Sequence, residues 1–302
     1  MRTLSGLTAD VLGGFLDVVG SGSGHMMKGS NTEPVSIHHL GSSSLVSLVM
    51  ASSLPAAKQQ LRKLMKQKLS TISQESITTQ SRCIFESLKE LQPYKDARRI
   101  SIYLAMPAAE VQTDAIVRHA LDAGKQVFVP YLHKSPFQTP DTPSRVMDMV
   151  HLENVQDYEN LKLDKWGIPS VDPATADARK RILGDSNVQT PDQAILDFIV
   201  VPGVAFDFDE SGSIRRLGHG KGFYDFFINR YMAKLESKGI AQQNPLHLYG
   251  LALKEQMVPA TSEYQIPTDT HDRRLNGLII GDGEIKHGVH EASTSRYPVQ
   301  DL

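Results

Sequence analysis

Short apolar segments typical of β-strands alternate with longer amphipathic segments over most of the chain, and this alternation limits its folds more than any other feature. Residues Ile195–Val201 form an almost continuous apolar run, as expected for a strand that is buried on both faces. Strands that alternate with helices over short connections form parallel sheets covered by helices. The sequence therefore predicts an α/β fold with a largely parallel, Rossmann-like sheet and helices on both faces. Predicted helices are Lys58–Leu69, Ser76–Leu91, Asp114–Gly124 and Phe223–Glu236, and predicted strands are Arg99–Ala105, Gln126–Pro130, Val146–Leu152, Ile195–Val201, Leu246–Leu253 and Leu275–Ile280.

The two ends of the chain lack this pattern. Residues 1–54 are rich in Ser and Gly, and Gly20–Gly24 reads Gly-Ser-Gly-Ser-Gly, a flexible composition. A mitochondrial presequence is rich in Arg and poor in acids, whereas this segment has one Arg and three acidic residues. We expect a disordered leader over 1–54, with a divergent targeting peptide as the alternative, then one α/β domain over 55–288 and a frayed tail over 289–302. Pro136–Pro143 and Pro169–Pro191 are predicted surface loops.

Composition excludes several functional classes. The 32 Lys and Arg residues nearly balance the 34 Asp and Glu residues, which argues against a strongly basic nucleic-acid module or a polybasic membrane binder. The single cysteine, Cys83, excludes an intrachain disulfide framework and a multi-cysteine zinc site. No apolar run approaches the roughly 20 residues of a spanning helix. We expect a cytoplasmic monomer with small-molecule partners and neither nucleic acid nor membrane, or a mitochondrial protein if the leader is a targeting peptide.

The most informative motif lies at 216–225 and reads Arg-Leu-Gly-His-Gly-Lys-Gly-Phe-Tyr-Asp, directly before a predicted helix. Its three glycines let the backbone approach a ligand, and their amides with the helix N-terminus form an anion site. Arg216 and Lys221 add positive charge suited to phosphate, and Asp225 could hold a hard cation such as Mg²⁺. The spacing fits neither a Walker A loop nor the dinucleotide fingerprint. A glycine-rich turn without a ligand is the alternative interpretation.

This motif resembles the signature of the 5-formyltetrahydrofolate cyclo-ligase family, and the resemblance extends over residues 58–282. It implies an enzyme that phosphorylates the formyl oxygen of 5-formyltetrahydrofolate with ATP, after which the nitrogen at position 10 attacks the activated carbon. The products are 5,10-methenyltetrahydrofolate, ADP and phosphate, with Mg²⁺ as cofactor. The other segments that carry the resemblance are Lys58-x-x-x-Arg62, Ile102–Met106, Trp166–Pro169, Pro202–Asp207, Ala252–Gln256 and His271-Asp272.

The resemblance also implies a role for each matching residue. Lys221 and Arg216 would act in catalysis, and Asp225 and Asp272 would contact Mg²⁺. ATP would be bound by Lys58, Arg62, Arg216, Leu217, Gly218, His219, Gly220, Lys221, Gly222, Phe223 and Tyr224, and the folate by Met106, Glu110, Trp166, His219, Gly220, Lys221, Gly222 and Phe223. The bland alternatives are a solvated basic helix face for Lys58 and Arg62, a helix-capping carboxylate for Asp225, a surface turn for Asp272, and packing for Met106 and Trp166.

The chain departs from the family pattern at three places. The segment 106–113 is one residue longer, so either Glu110 or Gln112 occupies the position that meets the pterin. His219 stands where an arginine is common, and an imidazole can titrate near neutrality. Phe223 stands where a tyrosine is common.

Two further functions compete with the cyclo-ligase. The first is a non-catalytic protein that sequesters 5-formyltetrahydrofolate, which would need no ATP site. The second is another phosphate-handling α/β enzyme, which would leave the aromatic residues of the motif and the cations Lys58 and Arg62 unexplained. The predicted ATP site therefore favours the cyclo-ligase.

Overall fold

A computed structural model describes residues 53–137, 142–184, 195–239, 245–260, 262 and 264–289. Residues 1–52 of the predicted leader and residues 290–302 of the predicted tail lie outside the described residues. The predicted loops also lie partly outside them, at 138–141 and at 185–191. No helix in the described part of the chain is long and apolar enough to cross a membrane.

The described helices agree closely with the predicted ones. The first begins beside Pro55 and buries Leu61, Met65 and Leu69 along one stripe. The second is capped by the Ser73 hydroxyl, which accepts a hydrogen bond from the Ser76 amide. The α-helices are α1 (Leu54–Leu69), α2 (Gln74–Glu90), α3 (Gln92–Asp96), α4 (Asp114–Asp122), α5 (Val155–Glu159), α6 (Pro173–Ala176) and α7 (Phe223–Ser237), and a 3₁₀ turn spans Lys254–Gln256.

A seven-stranded sheet in the order β11-β10-β9-β6-β1-β2-β3 forms the centre of the fold. The five strands from β10 to β2 are parallel to their neighbours, and the edge strands β11 and β3 are antiparallel. This confirms the largely parallel sheet. The strands are β1 (Arg99–Ser101), β2 (Gln126–Lys134), β3 (Arg145–Leu152), β4 (Lys162–Leu163), β5 (Pro169–Ser170), β6 (Phe198–Val201), β7 (Ala205–Phe208), β8 (Ile214–Leu217), β9 (His247–Ala252), β10 (Gly277–Ile280) and β11 (Ile285–His287).

Helices cover both faces of the sheet, as predicted. One apolar cluster joins Ile84 of α2 and Ile116 of α4 to the sheet, and another joins Phe227 and Tyr231 of α7 to the opposite face. A third, smaller cluster packs Leu61 and neighbouring residues of α1 against the segment around β7 and β8. These clusters therefore hold helices against both faces of the sheet and hold α1 against the segment around β7 and β8.

Several element boundaries differ from the prediction. Strand β1 ends at Ser101 instead of Ala105, because the chain turns away from the sheet after the Ile102 amide donates to the Phe128 carbonyl. The predicted loop from Pro169 contains β5, α6 and a bridge between Arg181 and Val150. Strands β7 and β8 were not predicted and form a hairpin that ends at the glycine motif.

Candidate functional site

The site lies where the topology of the sheet reverses. Strands β1 and β6 are neighbours, but the chain continues from β1 to β2 on one side and from β6 to β9 on the other. Such a switch point leaves a crevice at the carboxyl ends of the strands, where α/β proteins bind ligands. Segment 102–112 enters this crevice from β1, and segment 202–204 enters it from β6.

The β7–β8 hairpin positions the glycine motif beside the crevice. Asp207 accepts hydrogen bonds at 2.7 Å from both Nε and Nη2 of Arg215, so the two strands are cross-linked by side chains. Asp207 also accepts a bond from the Ile266 amide at 2.8 Å. Strand β8 ends at Leu217 within the motif, and residues 218–222 follow as a largely exposed loop before α7 begins at Phe223.

Two glycines of this loop are required by its backbone. Gly220 has a φ of +100° and Gly222, the N-cap of α7, has a φ of +66°, both in the region that glycine adopts without strain. A Cβ on Gly220 would also lie 3.3 Å from Nε of Arg62. The loop therefore lies directly on an α1 side chain.

The spacing of Lys58 and Arg62 predicts one shared face of α1, and from that helix Arg62 contacts the loop while Lys58 contacts segment 269–272. Nε of Arg62 donates to the Gly218 carbonyl at 2.8 Å, and burial lowers the pKa of Arg62 while Asp272 opposes this shift. Nζ of Lys58 lies 2.6 Å from Oδ2 of Asp272 and 3.3 Å from Oδ2 of Asp269. Both cations therefore have protein partners.

Arg216 lies beneath the loop. Its side chain is 4% exposed, and its Nη2 donates at 2.7 Å to both carboxylate oxygens of Asp225. Its Nη1 donates to the Pro202 carbonyl at 3.2 Å and would lie 3.0 Å from a Cβ on Gly218. Lys221 differs, since it is exposed and has no ion-pair partner among the residues that the structure describes.

The predicted metal-binding aspartates flank the same region. Asp225 lies in the first turn of α7 and accepts a bond from the Arg273 amide, and Asp272 accepts one from the Asp269 amide. Within the described ranges, no group of three or more His, Cys, Asp or Glu side chains could hold a metal. Mg²⁺ usually retains waters and takes one or two carboxylates beside substrate phosphates, so this pair has suitable chemistry for an ion that arrives with a nucleotide.

Glu110 faces the loop from the opposite side of the crevice. Its side chain is 7% exposed, Oε1 lies 3.8 Å from Nε2 of His219, and Oε2 accepts a bond from the Met106 amide at 2.9 Å. Burial raises the pKa of Tyr103 and of Tyr224, and the nearby Glu110 carboxylate adds to both shifts. The hydroxyl of Tyr224 is buried without a hydrogen-bond partner in the described part of the chain.

Gln112 has a different environment from Glu110. Its side-chain amide donates at 2.9 Å to the carbonyls of Met106 and Glu110, and its backbone amide donates to the Ser81 hydroxyl. Gln112 therefore holds the loop in shape, whereas Glu110 presents its carboxylate to the crevice. The turn between Met106 and Glu110 places Ala109 at a φ of +62°, which is unfavourable for a residue with a Cβ.

Trp166 lies at the rim and is 59% exposed. Its neighbour Gly167 packs so closely on Pro107 that a Cβ there would lie 2.9 Å from the proline ring. The turn between β4 and β5 therefore adjoins the Met106 segment. Phe223 and Tyr224 are half-buried and pack against the core at the start of α7.

Sequence reasoning missed two residues of the site. Asp269 and Asp272 both pair with Lys58. The sequence signal for Asp269 was its position three residues before Asp272, a predicted metal ligand. Gln256 is buried, donates to the Gly203 carbonyl at 2.6 Å and accepts from the Leu253 amide. It thereby fixes the segment after β6, and it lies in the quoted segment Ala252–Gln256.

Comparisons with known proteins identify the family of this chain. The model of the 5-formyltetrahydrofolate cyclo-ligase family matches residues 55–281. The mouse 5-formyltetrahydrofolate cyclo-ligase is 32% identical over 77% of this chain and 97% of its own length, and a Caenorhabditis elegans protein named "Probable 5-formyltetrahydrofolate cyclo-ligase" is 33% identical over 77% and 96%. The solved 5,10-methenyltetrahydrofolate synthetase of Aquifex aeolicus covers 81% of this chain and 99% of its own, with 20% identity and a TM-score of 0.48. Because the family model matches residues 55–281, most of the chain, and the mouse protein is 32% identical over 97% of its own length, this chain belongs to the 5-formyltetrahydrofolate cyclo-ligase family.

Proposed function

We propose that this chain converts 5-formyltetrahydrofolate and ATP into 5,10-methenyltetrahydrofolate, ADP and phosphate. The observation that carries the proposal is the approach of Glu110 to His219 at 3.8 Å. This contact joins a buried carboxylate pocket and a glycine-lined anion loop in one crevice. A protein that joins a reduced pterin to a phosphoryl donor needs this juxtaposition, whereas one that only stores folate does not.

The chemistry requires positioning and charge stabilisation more than a protein nucleophile. The formyl oxygen attacks the γ-phosphorus of ATP, the bond from that phosphorus to the bridging oxygen breaks, and ADP leaves. The nitrogen at position 10 then attacks the activated carbon, and the carbon–oxygen bond breaks to release phosphate. Loss of the proton from nitrogen completes the methenyl ring.

On the phosphate side, the amides of Gly218–Gly222 and the side chain of Lys221 would meet the β- and γ-phosphates. Lys221 is our choice for the charge that stabilises the transferring group, because it is exposed at the loop. Lys58 and Arg62 would contact phosphate oxygens after exchanging their present partners. Arg216, with Leu217, would hold the loop from below and neutralise Asp225, a role that its burial supports.

Release of Lys58 from Asp272 would free a carboxylate for Mg²⁺ beside the phosphates. We propose Asp272 and Asp225 as its protein ligands. When bound, Mg²⁺ would neutralise charge that develops on the phosphate oxygens.

On the folate side, the Glu110 carboxylate would accept the paired N–H donors of the pterin. Burial with one backbone donor supports this role, because an unmatched buried carboxylate gains more from new hydrogen bonds than an exposed one does. Met106, Trp166 and Phe223 would supply apolar contacts around the ring, and His219 would border both ligands. We also propose one domain over 55–288, a monomeric state and a cytoplasmic location.

One assay tests the proposal. The purified full chain is mixed with 5-formyltetrahydrofolate, ATP and Mg²⁺, and formation of the methenyl chromophore is followed. We expect product only when ATP is present, with one ADP formed for each methenyl group. Folate binding without product would contradict the proposal and favour the sequestering protein, and product without ATP would contradict the ligase mechanism.

A further inference from the structure

Helix α2 carries two adjacent polar side chains, Gln80 and Ser81, on the face that it turns toward the core. Each residue is only 7% exposed, and the buried apolar residues Ile77 and Ile84 lie one turn before and one turn after Ser81. Buried polar groups need hydrogen-bond partners, and these two residues find theirs at the edge of the sheet that bears the crevice. The proposed function assigns no ligand contact to α2, so it leaves this pair unexplained.

Gln80 fixes α2 to the carboxyl ends of two strands. Its Oε1 accepts a hydrogen bond at 2.8 Å from the amide of Lys254, which follows β9. Its Nε2 donates at 3.0 Å to Oε2 of Glu255 and at 3.0 Å to the Ser76 hydroxyl. A Cβ on Gly281, directly after β10, would lie 1.9 Å from Oε1 of Gln80, so the strand end and the side chain are in close contact. These contacts set the height of α2 beside the crevice.

Ser81 connects the fixed helix to the loop that carries Glu110. Its hydroxyl donates to the Ile77 carbonyl at 2.7 Å and accepts a hydrogen bond from the Gln112 amide at 2.9 Å. The side chain of Gln112 in turn donates at 2.9 Å to the carbonyls of Met106 and Glu110. Ser81 therefore holds, through one residue, both ends of the turn from Met106 to Glu110.

This turn needs support from outside. Ala109 adopts a φ of +62°, and the left-handed region raises the free energy of a residue that has a Cβ. Such a conformation persists only where surrounding contacts fix it. Without the Ser81 hydroxyl, the Gln112 amide would lose its acceptor and the turn could relax toward an ordinary φ. The Glu110 carboxylate, attached to the next residue, would then move within the crevice.

We infer that Ser81 is a positioning residue for the folate pocket, which acts through Gln112 to hold the Glu110 carboxylate in place. This inference rests on the proposed function and extends it to a helix that contacts neither ligand. Gln80 keeps the helix fixed, and Ser81 transmits that position to the loop. Folate affinity is therefore set in part by a hydroxyl behind the pocket wall.

The first test compares two serines of α2 in the full chain. Ser81→Ala should raise KM for 5-formyltetrahydrofolate about three- to tenfold, the effect of one lost hydrogen bond, with kcat and KM for ATP nearly unchanged. Ser87→Ala is the matched control, because the Ser87 hydroxyl donates at 2.7 Å to the Gly283 carbonyl in the turn between β10 and β11. The control should leave all three constants unchanged. Equal folate KM values in the two variants would overturn the inference.

A double-mutant cycle tests the route of the effect. If Ser81 acts through the Glu110 carboxylate, its removal should matter little once that carboxylate is lost. Adding Ser81→Ala to Glu110→Gln should therefore change KM for 5-formyltetrahydrofolate by less than about twofold. Effects that multiply in the double variant would show that Ser81 acts by another route and would overturn the positioning role.

Hydrogen exchange of the Gln112 amide tests the contact without an activity assay. In the wild type without ligand we expect exchange far slower than in an unstructured peptide, with an acceleration of about fivefold or more in Ser81→Ala and none in Ser87→Ala. An unprotected Gln112 amide in the wild type would overturn the inference, even if Ser81→Ala did not fold. Absence of methenyl product from the wild type, together with a protected amide, would instead overturn the proposed function, and the folate role of Ser81 with it.

Discussion

The two sides of the crevice differ in how far their charged groups are already matched. On the phosphate side, Lys58 pairs with Asp272 at 2.6 Å and Arg216 pairs with Asp225 at 2.7 Å. On the folate side, Glu110 has one backbone donor at 2.9 Å and an exposed His219 at 3.8 Å. Under the proposed assignment, phosphate binding would release Lys58 from Asp272, whereas folate binding would supply donors that Glu110 lacks. Variants on the two sides should therefore fail in different ways.

The largest effect is expected from Arg216→Ala. This change leaves the Asp225 carboxylate, 18% exposed, without its cation, so we expect a loss of about 3–5 kcal/mol in the free energy of unfolding. Urea denaturation measures it. The matched control is Lys254→Ala, whose pair with Asp282 is about half exposed on both sides and should contribute about 0–1 kcal/mol. Equal losses in the two variants would show that the phosphate side is not pre-paired in the way described.

The next effect concerns catalysis alone. Lys221→Ala removes an exposed charge without a described ion-pair partner, so stability should be unchanged while kcat falls about 100- to 1000-fold. Steady-state kinetics and a urea titration of the same preparation separate the two properties. Lys238→Ala, an exposed lysine just after α7, serves as control. A normal kcat in Lys221→Ala would remove this lysine from the mechanism.

A third prediction distinguishes the folate side of the crevice from the phosphate side. Glu110→Gln keeps the size of the side chain but loses its charge, so we expect KM for 5-formyltetrahydrofolate to rise about tenfold or more, with little change in KM for ATP. Lys58→Met should give the reverse pattern. If both variants raised the same KM, the assignment of the two sides to two ligands would be wrong.

The smallest expected effect is a pH dependence of stability on the phosphate side. A bond from the His271 amide, and then the Lys58 ammonium, lower the pKa of Asp269 from its ordinary value of 3.8. The unfolded state therefore takes up this proton first, so the contribution is complete well above pH 3.8 and is lost as the pH falls through the lower folded value. Acid titration followed by circular dichroism should show a shallower loss in Asp269→Asn. An identical acid profile would indicate that neither the His271 amide nor Lys58 lowers the pKa of Asp269.

The fold was predictable where a strong local pattern sets the structure. The parallel sheet and α7 follow from apolar periodicity, and the loop at 218–222 follows from glycines that its left-handed φ values require. The β7–β8 hairpin was not predictable in this way. Its strands are four residues each, and its polar positions are satisfied by the Asp207–Arg215 pair, a contact across strands that no local pattern reveals.

The candidate site was predictable as a set of residues more than as an arrangement. The choice between Glu110 and Gln112 depends on the left-handed turn at Ala109, which directs one side chain into the crevice and the other toward the backbone. The partner of Lys58, Asp272, is more than 200 residues away in the sequence. The partner of Arg216, Asp225, is nine residues away, across the glycine loop and in the next helix. Spacing alone could not identify these contacts.

The central claim is that the crevice transfers a phosphoryl group from ATP to the formyl oxygen of the substrate. Turnover of 5-formyltetrahydrofolate that carries ¹⁸O in the formyl group tests this directly, with mass spectrometry of the released phosphate. The account predicts that each phosphate acquires one labelled oxygen. Unlabelled phosphate, formed together with the methenyl product, would contradict it.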